Sequence, residues 1–256
     1  MAREHRLAGQ QHDDLCACYW AAILMRAEGV DVDAGAVAIM AGTMLPDGGA
    51  QDSVPSGATP RTDDRIDLPR APSPEVAGTS IEGLIEAVSA SSHGRLTLVP
   101  LRAPWTAARV VRVLDICRDH PDWGATPLAN LRTGRTWGSR LPLADAIEWL
   151  RGEAIDPPPP DWDVGHFVSL AGTWDGPRRS LVVVRDSYPA FGWDGHHLQP
   201  PDVLAAALER GDGREGGIAL FARAVFRADI ERVAKDDRFD VAAWDNGTPW
   251  HGEEGV

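Results

Sequence analysis

Two cysteines, one histidine and one aspartate stand where their chemistry would matter. Cys16 and Cys18 open the run Cys16-Ala-Cys-Tyr-Trp-Ala-Ala-Ile-Leu-Met-Arg-Ala27, which holds no Gly or Pro and is strongly helical. A cysteine in the first turn of a helix faces unbonded N–H groups and the positive end of the helix dipole, which favour the nucleophilic thiolate. An isolated cysteine there more often packs as a small apolar side chain. Gly165-His166-Phe167-Val168 opens an apolar strand, with His166 at its beginning. Asp186 follows the strand Leu181–Val184, in Arg185-Asp186-Ser187-Tyr188-Pro189. A turn at Asp175-Gly176-Pro177 separates the two strands, so hairpin pairing would bring His166 beside Asp186. The carboxylate would then fix the imidazole tautomer and leave the second ring nitrogen for a thiol. Acyl transfer also needs donors for an oxyanion. Gln10, six residues before Cys16, is the candidate, with Gln11 as the alternative.

Those residues must be positioned by the elements around them. Residues 1–15 are polar and read as an extended arm, with Asp13 and Asp14 as N-cap candidates for the helix from Cys16. A short helix is expected at Asp33–Met40. Helices are also expected after the capping-box string Thr79-Ser80-Ile81-Glu82, over Thr106–Arg118, Leu143–Leu150 and Pro200–Glu209, and at Ala228–Val233. Strands are expected near Leu96–Leu101, Pro127–Leu131, His166–Ala171, Leu181–Val184 and Ile218–Val225. An N-terminal helix followed by later strands reads as α+β. Residues 41–78 form a Pro/Gly-rich loop insertion, 137–162 a Pro-rich excursion ending in Pro157–Pro160, and 245–256 a frayed tail.

Composition excludes several classes. The 256 residues can bury a core without staples, and 20 Pro with 26 Gly forecast long irregular stretches. The net charge of −13 argues against a nucleic-acid footprint. Three cysteines cannot form a disulfide framework, and no segment reads as a membrane span or a signal peptide. A soluble, reduced, cytoplasmic protein is the expectation. No second pair of ligands completes a zinc site with His12, Cys16 and Cys18, and His196-His197 reads as an exposed pair in a Gly-rich loop. The Gly strings at 211–217 lack the Lys and Ser/Thr of a phosphate loop. Most of the ten tryptophans anchor loops; Trp162, Trp174 and Trp193, near His166 in sequence, are candidates to line a cleft.

Gln10-(x5)-Cys16 at a helix start, Gly165-His166-Phe167-Val168 and the later Asp186 together resemble the papain-like cysteine peptidase superfamily, its C39-like branch most of all. The resemblance covers about 60 residues in two patches, and Asp186-Ser187-Tyr188 is similar to the Asn-Ser-Trp of papain. It departs from the pattern in having Cys16-Ala17 where the C39-like group has Cys-Gly. The aromatic Tyr19 after Cys18 matches papain's motif better on Cys18. The spacing from Gln10 favours Cys16, so both cysteines stay open as nucleophiles. The resemblance implies a single papain-like domain over 1–256, an N-terminal helix carrying the nucleophile packed on an antiparallel sheet carrying His and Asp. It implies a cysteine peptidase or amidase working through Cys16, His166, Asp186 and Gln10, with no cofactor and no metal. A bacterial peptide precursor would be the substrate; acyl or amide transfer by the same triad, or peptide binding without turnover, are the alternatives.

Overall fold

A computed structural model describes residues 1–47, 54–61 and 67–250. The chain begins with helix α1 (Ala2–Ala8), so the expected extended arm is helical over its first half. Helices α2 (Cys16–Ala27), α3 (Ala34–Met40) and α4 (Ile81–Ser91) follow. Then come β1 (Leu96–Arg102), α5 (Ala107–Asp119), β2 (Thr126–Arg132), α6 (Leu143–Arg151), β3 (Gly165–Asp175) and β4 (Ser180–Arg185). The chain continues through β5 (His196–Gln199), α7 (Pro201–Leu208), β6 (Gly217–Arg223), α8 (Arg227–Asp236) and β7 (Asp240–Val241). The fold is α+β, with a seven-stranded sheet in the order β5-β4-β3-β2-β6-β1-β7. All its neighbouring strands run antiparallel.

Helices cover both faces of this sheet. Leu96, Leu98, Leu128, Phe167 and Phe221 pack under α2, α3 and α4. The alternate residues Val99, Leu101, Leu131, Val168 and Leu220 pack with α5, α7 and α8. Double coverage explains why these strands read as continuous apolar runs rather than alternating ones. Helix α2 is buried at every position from Ala17 to Met25, so it is a core helix rather than an amphipathic one. Trp20 is fully buried and donates Nε1–H to the Phe167 carbonyl at 3.1 Å, which ties α2 to β3 beside His166.

Several expected caps fall elsewhere. Leu15, not Asp13 or Asp14, is the residue before α2, and it makes no side-chain cap bond. Ser80 rather than Thr79 caps α4, accepting from Gly83 N at 3.0 Å; Asp33 and Thr106 cap α3 and α5. Residues 245–250 are not a frayed tail. Asn246 Nδ2 donates to the Thr79 carbonyl at 2.9 Å, Thr248 Oγ1 donates to the Ala77 carbonyl at 3.1 Å, and both residues are buried. The 41–78 segment is tied down at Met44–Gly78 and Leu45–Arg70, while 48–53, 62–66 and 251–256 lie outside the described residues. In the 137–162 excursion, α6 packs Ala146 and Leu150 on Leu181 and Leu198. Among the described residues no helix is long and apolar enough to cross a membrane.

Candidate active site

A cleft of about 740 Å³ opens at the start of α2 and β3, and Gln11, Cys16 and His166 all line it. Both Pro-rich stretches border it, the first through Pro46 and Pro74 and the second through Trp162.

Cys16 is the first residue of α2 and is partly exposed. Its place in the first turn sets the thiol at the positive end of the helix dipole. Cys18 lies two residues on, about 200° around the helix, and points into the core. Its thiol sits 3.4 Å from both Thr43 Oγ1 and Thr79 Oγ1. Burial pushes the Cys18 thiol up to about 11, only partly offset by those hydroxyls. Cys117, on α5 across the sheet, is pushed by burial up to about 12.

The hairpin of β3 and β4 does what its sequence predicts. Ser169 pairs with Arg185, which puts the beginning of β3 beside the end of β4. His166 is almost wholly buried, and its Nε2–H donates to Asp186 Oδ1 at 3.2 Å. The carboxylate can only accept, so the ring proton is on Nε2 and Nδ1 remains for the thiol. Cys16 and His166 face the same cleft. Burial disfavours the His166 imidazolium, but the Asp186 carboxylate and the Cys16 sulfur outweigh it, raising the ring to about 10. Burial likewise opposes ionisation of Asp186, yet His166 and then His197 hold its carboxyl well below the ordinary range. Tyr188 N also donates to Asp186 Oδ1 at 3.1 Å, and Trp162 packs edge-on against His166 with centroids 5.1 Å apart.

The expected glutamine is displaced by one. Gln10 turns outward and donates Nε2–H to the Thr59 carbonyl at 2.6 Å. Gln11 is buried at the cleft wall instead. Its backbone N–H donates to the Ser187 carbonyl at 3.1 Å, while Ser187 Oγ donates to its Oε1 at 2.5 Å. Its Nε2 then faces Tyr188 Oη at 3.2 Å, leaving one amide proton uncommitted. The string Asp186-Ser187-Tyr188 thus holds both the imidazole and the carboxamide. Spacing before Cys16 cannot separate adjacent glutamines; the cross-chain pairing with Ser187 does.

Trp162 lines the cleft as expected, whereas Trp174 and Trp193 are exposed on the surface. His196 and His197 were expected in an exposed loop but form part of β5, and His197 is buried behind Asp186. The signal is weak because β5 has four residues and only Leu198 among them is apolar. His5 of α1 also reaches the site, donating Nε2–H to the Asp186 backbone carbonyl at 2.8 Å. Among the described residues no group of three or more His, Cys, Asp or Glu could hold a metal ion.

Residues 1–245 match DUF6885, a family of unknown function, and the chain belongs to that family. No curated protein matches the chain.

Proposed function

We propose that this protein is a cysteine-dependent peptidase or amidase of papain-like type. The observation that carries the reading is a helix-start thiol and an imidazole lining one cleft, the imidazole held from behind by a buried carboxylate. In the reaction, the Cys16 thiolate adds to a peptide or amide carbonyl carbon, and the carbonyl oxygen becomes an oxyanion. The free amide proton of Gln11 and the N–H groups at the start of α2 are its donors. His166, protonated at both nitrogens, passes its Nδ1 proton to the leaving nitrogen as the C–N bond breaks, leaving a thioester on Cys16. Water then gives a proton to Nδ1 and adds to the thioester; the C–S bond breaks and the acid is released. Asp186 keeps His166 oriented throughout. By the C39-like resemblance, the substrate is a segment of a bacterial peptide precursor.

Incubation with a peptide library, read by mass spectrometry, tests this. The wild type is expected to release fragments and Cys16→Ser to release none, with an acyl adduct trapped on the Cys16 peptide after acid quench. An added amine separates hydrolysis from transfer, since transfer yields the amide of that amine. A wild type that cleaves nothing and carries no adduct overturns the reading.

A further inference from the structure

His197 lies outside the Cys16–His166–Asp186 set, and its surroundings give it a defined proton. Gln199 lies two residues on in β5. The Trp137 backbone N–H donates to Gln199 Oε1 at 2.9 Å, and the Trp137 carbonyl accepts from Gln199 Nε2 at 2.7 Å. Those two bonds fix which end of the carboxamide is nitrogen. That nitrogen is also 3.2 Å from His197 Nδ1. An amide nitrogen only donates, so His197 Nδ1 accepts and the neutral ring carries its proton on Nε2. The Nε2–H is buried and has no partner at hydrogen-bond length, but it stands 3.8 Å from Asp186 Oδ2. A buried N–H without a partner is costly, and a small shift of ring or carboxylate closes that distance.

Asp186 is thereby set between two imidazoles. Oδ1 takes His166 and the Tyr188 N–H; Oδ2 faces His197. A carboxylate held at one oxygen alone can swing about its last bond, taking His166 Nε2 with it. A donor fixed on the second oxygen removes that freedom. Asp161 shares with His197 and Asp186 the wall of a cavity of about 20 Å³. Asp161 Oδ2 is committed to the Ser139 N–H at 2.6 Å.

We propose that His197 is a positioning residue: its Nε2–H, directed by Gln199, holds the second oxygen of Asp186 so that the first stays on His166. The proposal rests on the cysteine-hydrolase reading, and its experiment separates the two. The rate of Cys16 carbamidomethylation by iodoacetamide at pH 7 is measured by peptide mass spectrometry, with Cys117 as internal reference. In His197→Leu, which keeps bulk and loses the donor, the Cys16 rate is expected to fall on the order of tenfold, the scale of one hydrogen bond to a charged group. His197→Gln carries an amide donor where Nε2 sits and is expected to restore the rate to within about threefold of wild type. Should His197→Leu not fold, His197→Asn replaces it; its amide sits where Nδ1 was, falls short of Asp186, and is expected to lose the same tenfold. An unchanged rate in the donor-less variant, or a loss that His197→Gln fails to restore, overturns the positioning role while leaving the hydrolase reading intact. A wild-type Cys16 no faster than Cys117 overturns the hydrolase reading itself.

Discussion

Replacing Asp186 by Asn keeps the shape of the side chain and removes the charge that His166 faces. The carboxylate is buried and accepts from both His166 Nε2 and Tyr188 N through Oδ1. An amide oxygen at the same place can still accept, so the geometry survives and the loss is electrostatic. A hydrogen bond to a charged group is worth about 1.5–3 kcal/mol net, or roughly ten- to hundredfold in an equilibrium. That factor falls on the thiolate–imidazolium form, because the imidazolium is the partner that loses its counter-charge. The assay is iodoacetamide alkylation at pH 7, followed residue by residue. Cys18 and Cys117 are internal controls: with thiols near 11 and 12, only about one in 10⁴ and one in 10⁵ are ionised at that pH. In the wild type, Cys16 is expected to label well ahead of both. In Asp186→Asn the Cys16 rate is expected to drop ten- to hundredfold while the controls hold. A Cys16 rate within twofold of wild type would refute the assignment of Asp186 as the group that holds His166 in its charged form.

Other outcomes follow from the same geometry. Gln11→Ala is expected to lower kcat by about 10²–10³ with little change in KM, whereas Gln10→Ala stays near wild type; steady-state kinetics on a cleaved peptide decide it. His166, raised to about 10, contributes stability that is full below the unfolded value of ~6.5 and fades as pH rises through 10. The Tm advantage of wild type over His166→Gln is therefore expected to shrink between pH 6.5 and 10, and a constant advantage would contradict the His166–Asp186 pairing. Asp186 acts with the opposite sense: its contribution is present above ~4 and is lost as pH falls through its lowered folded-state value. Gly83→Ala would gain about 1 kcal/mol of helix propensity in α4, but the added Cβ collides with the Ala41 carbonyl oxygen. Overpacking costs about 1–3 kcal/mol, so denaturant unfolding is expected to show net destabilisation.

Much of this protein was legible from local patterns, because those patterns report local physics. The α2 run, the β3–β4 hairpin and the helices after Asp33 and Thr106 depend on residues close in sequence, and all appear where their patterns put them. The hairpin alone juxtaposes His166 and Asp186, and the i, i+2 geometry of a helix already separates Cys16 from Cys18. What the sequence left open required contacts across the chain. Cys18 is turned away from the cleft because Thr43 and Thr79 receive it, 25 and 61 residues later. Gln11 displaces Gln10 because Ser187 bonds it at both backbone and side chain, 176 residues away. Residues 245–250 are tied down because Asn246 and Thr248 find the carbonyls of Thr79 and Ala77. His197 is buried because β5 closes the sheet edge over Asp186, and four residues with a single apolar side chain carry no periodicity to announce it. Sequence pattern determined which elements form; the packing of distant segments decided which side chains of those elements meet.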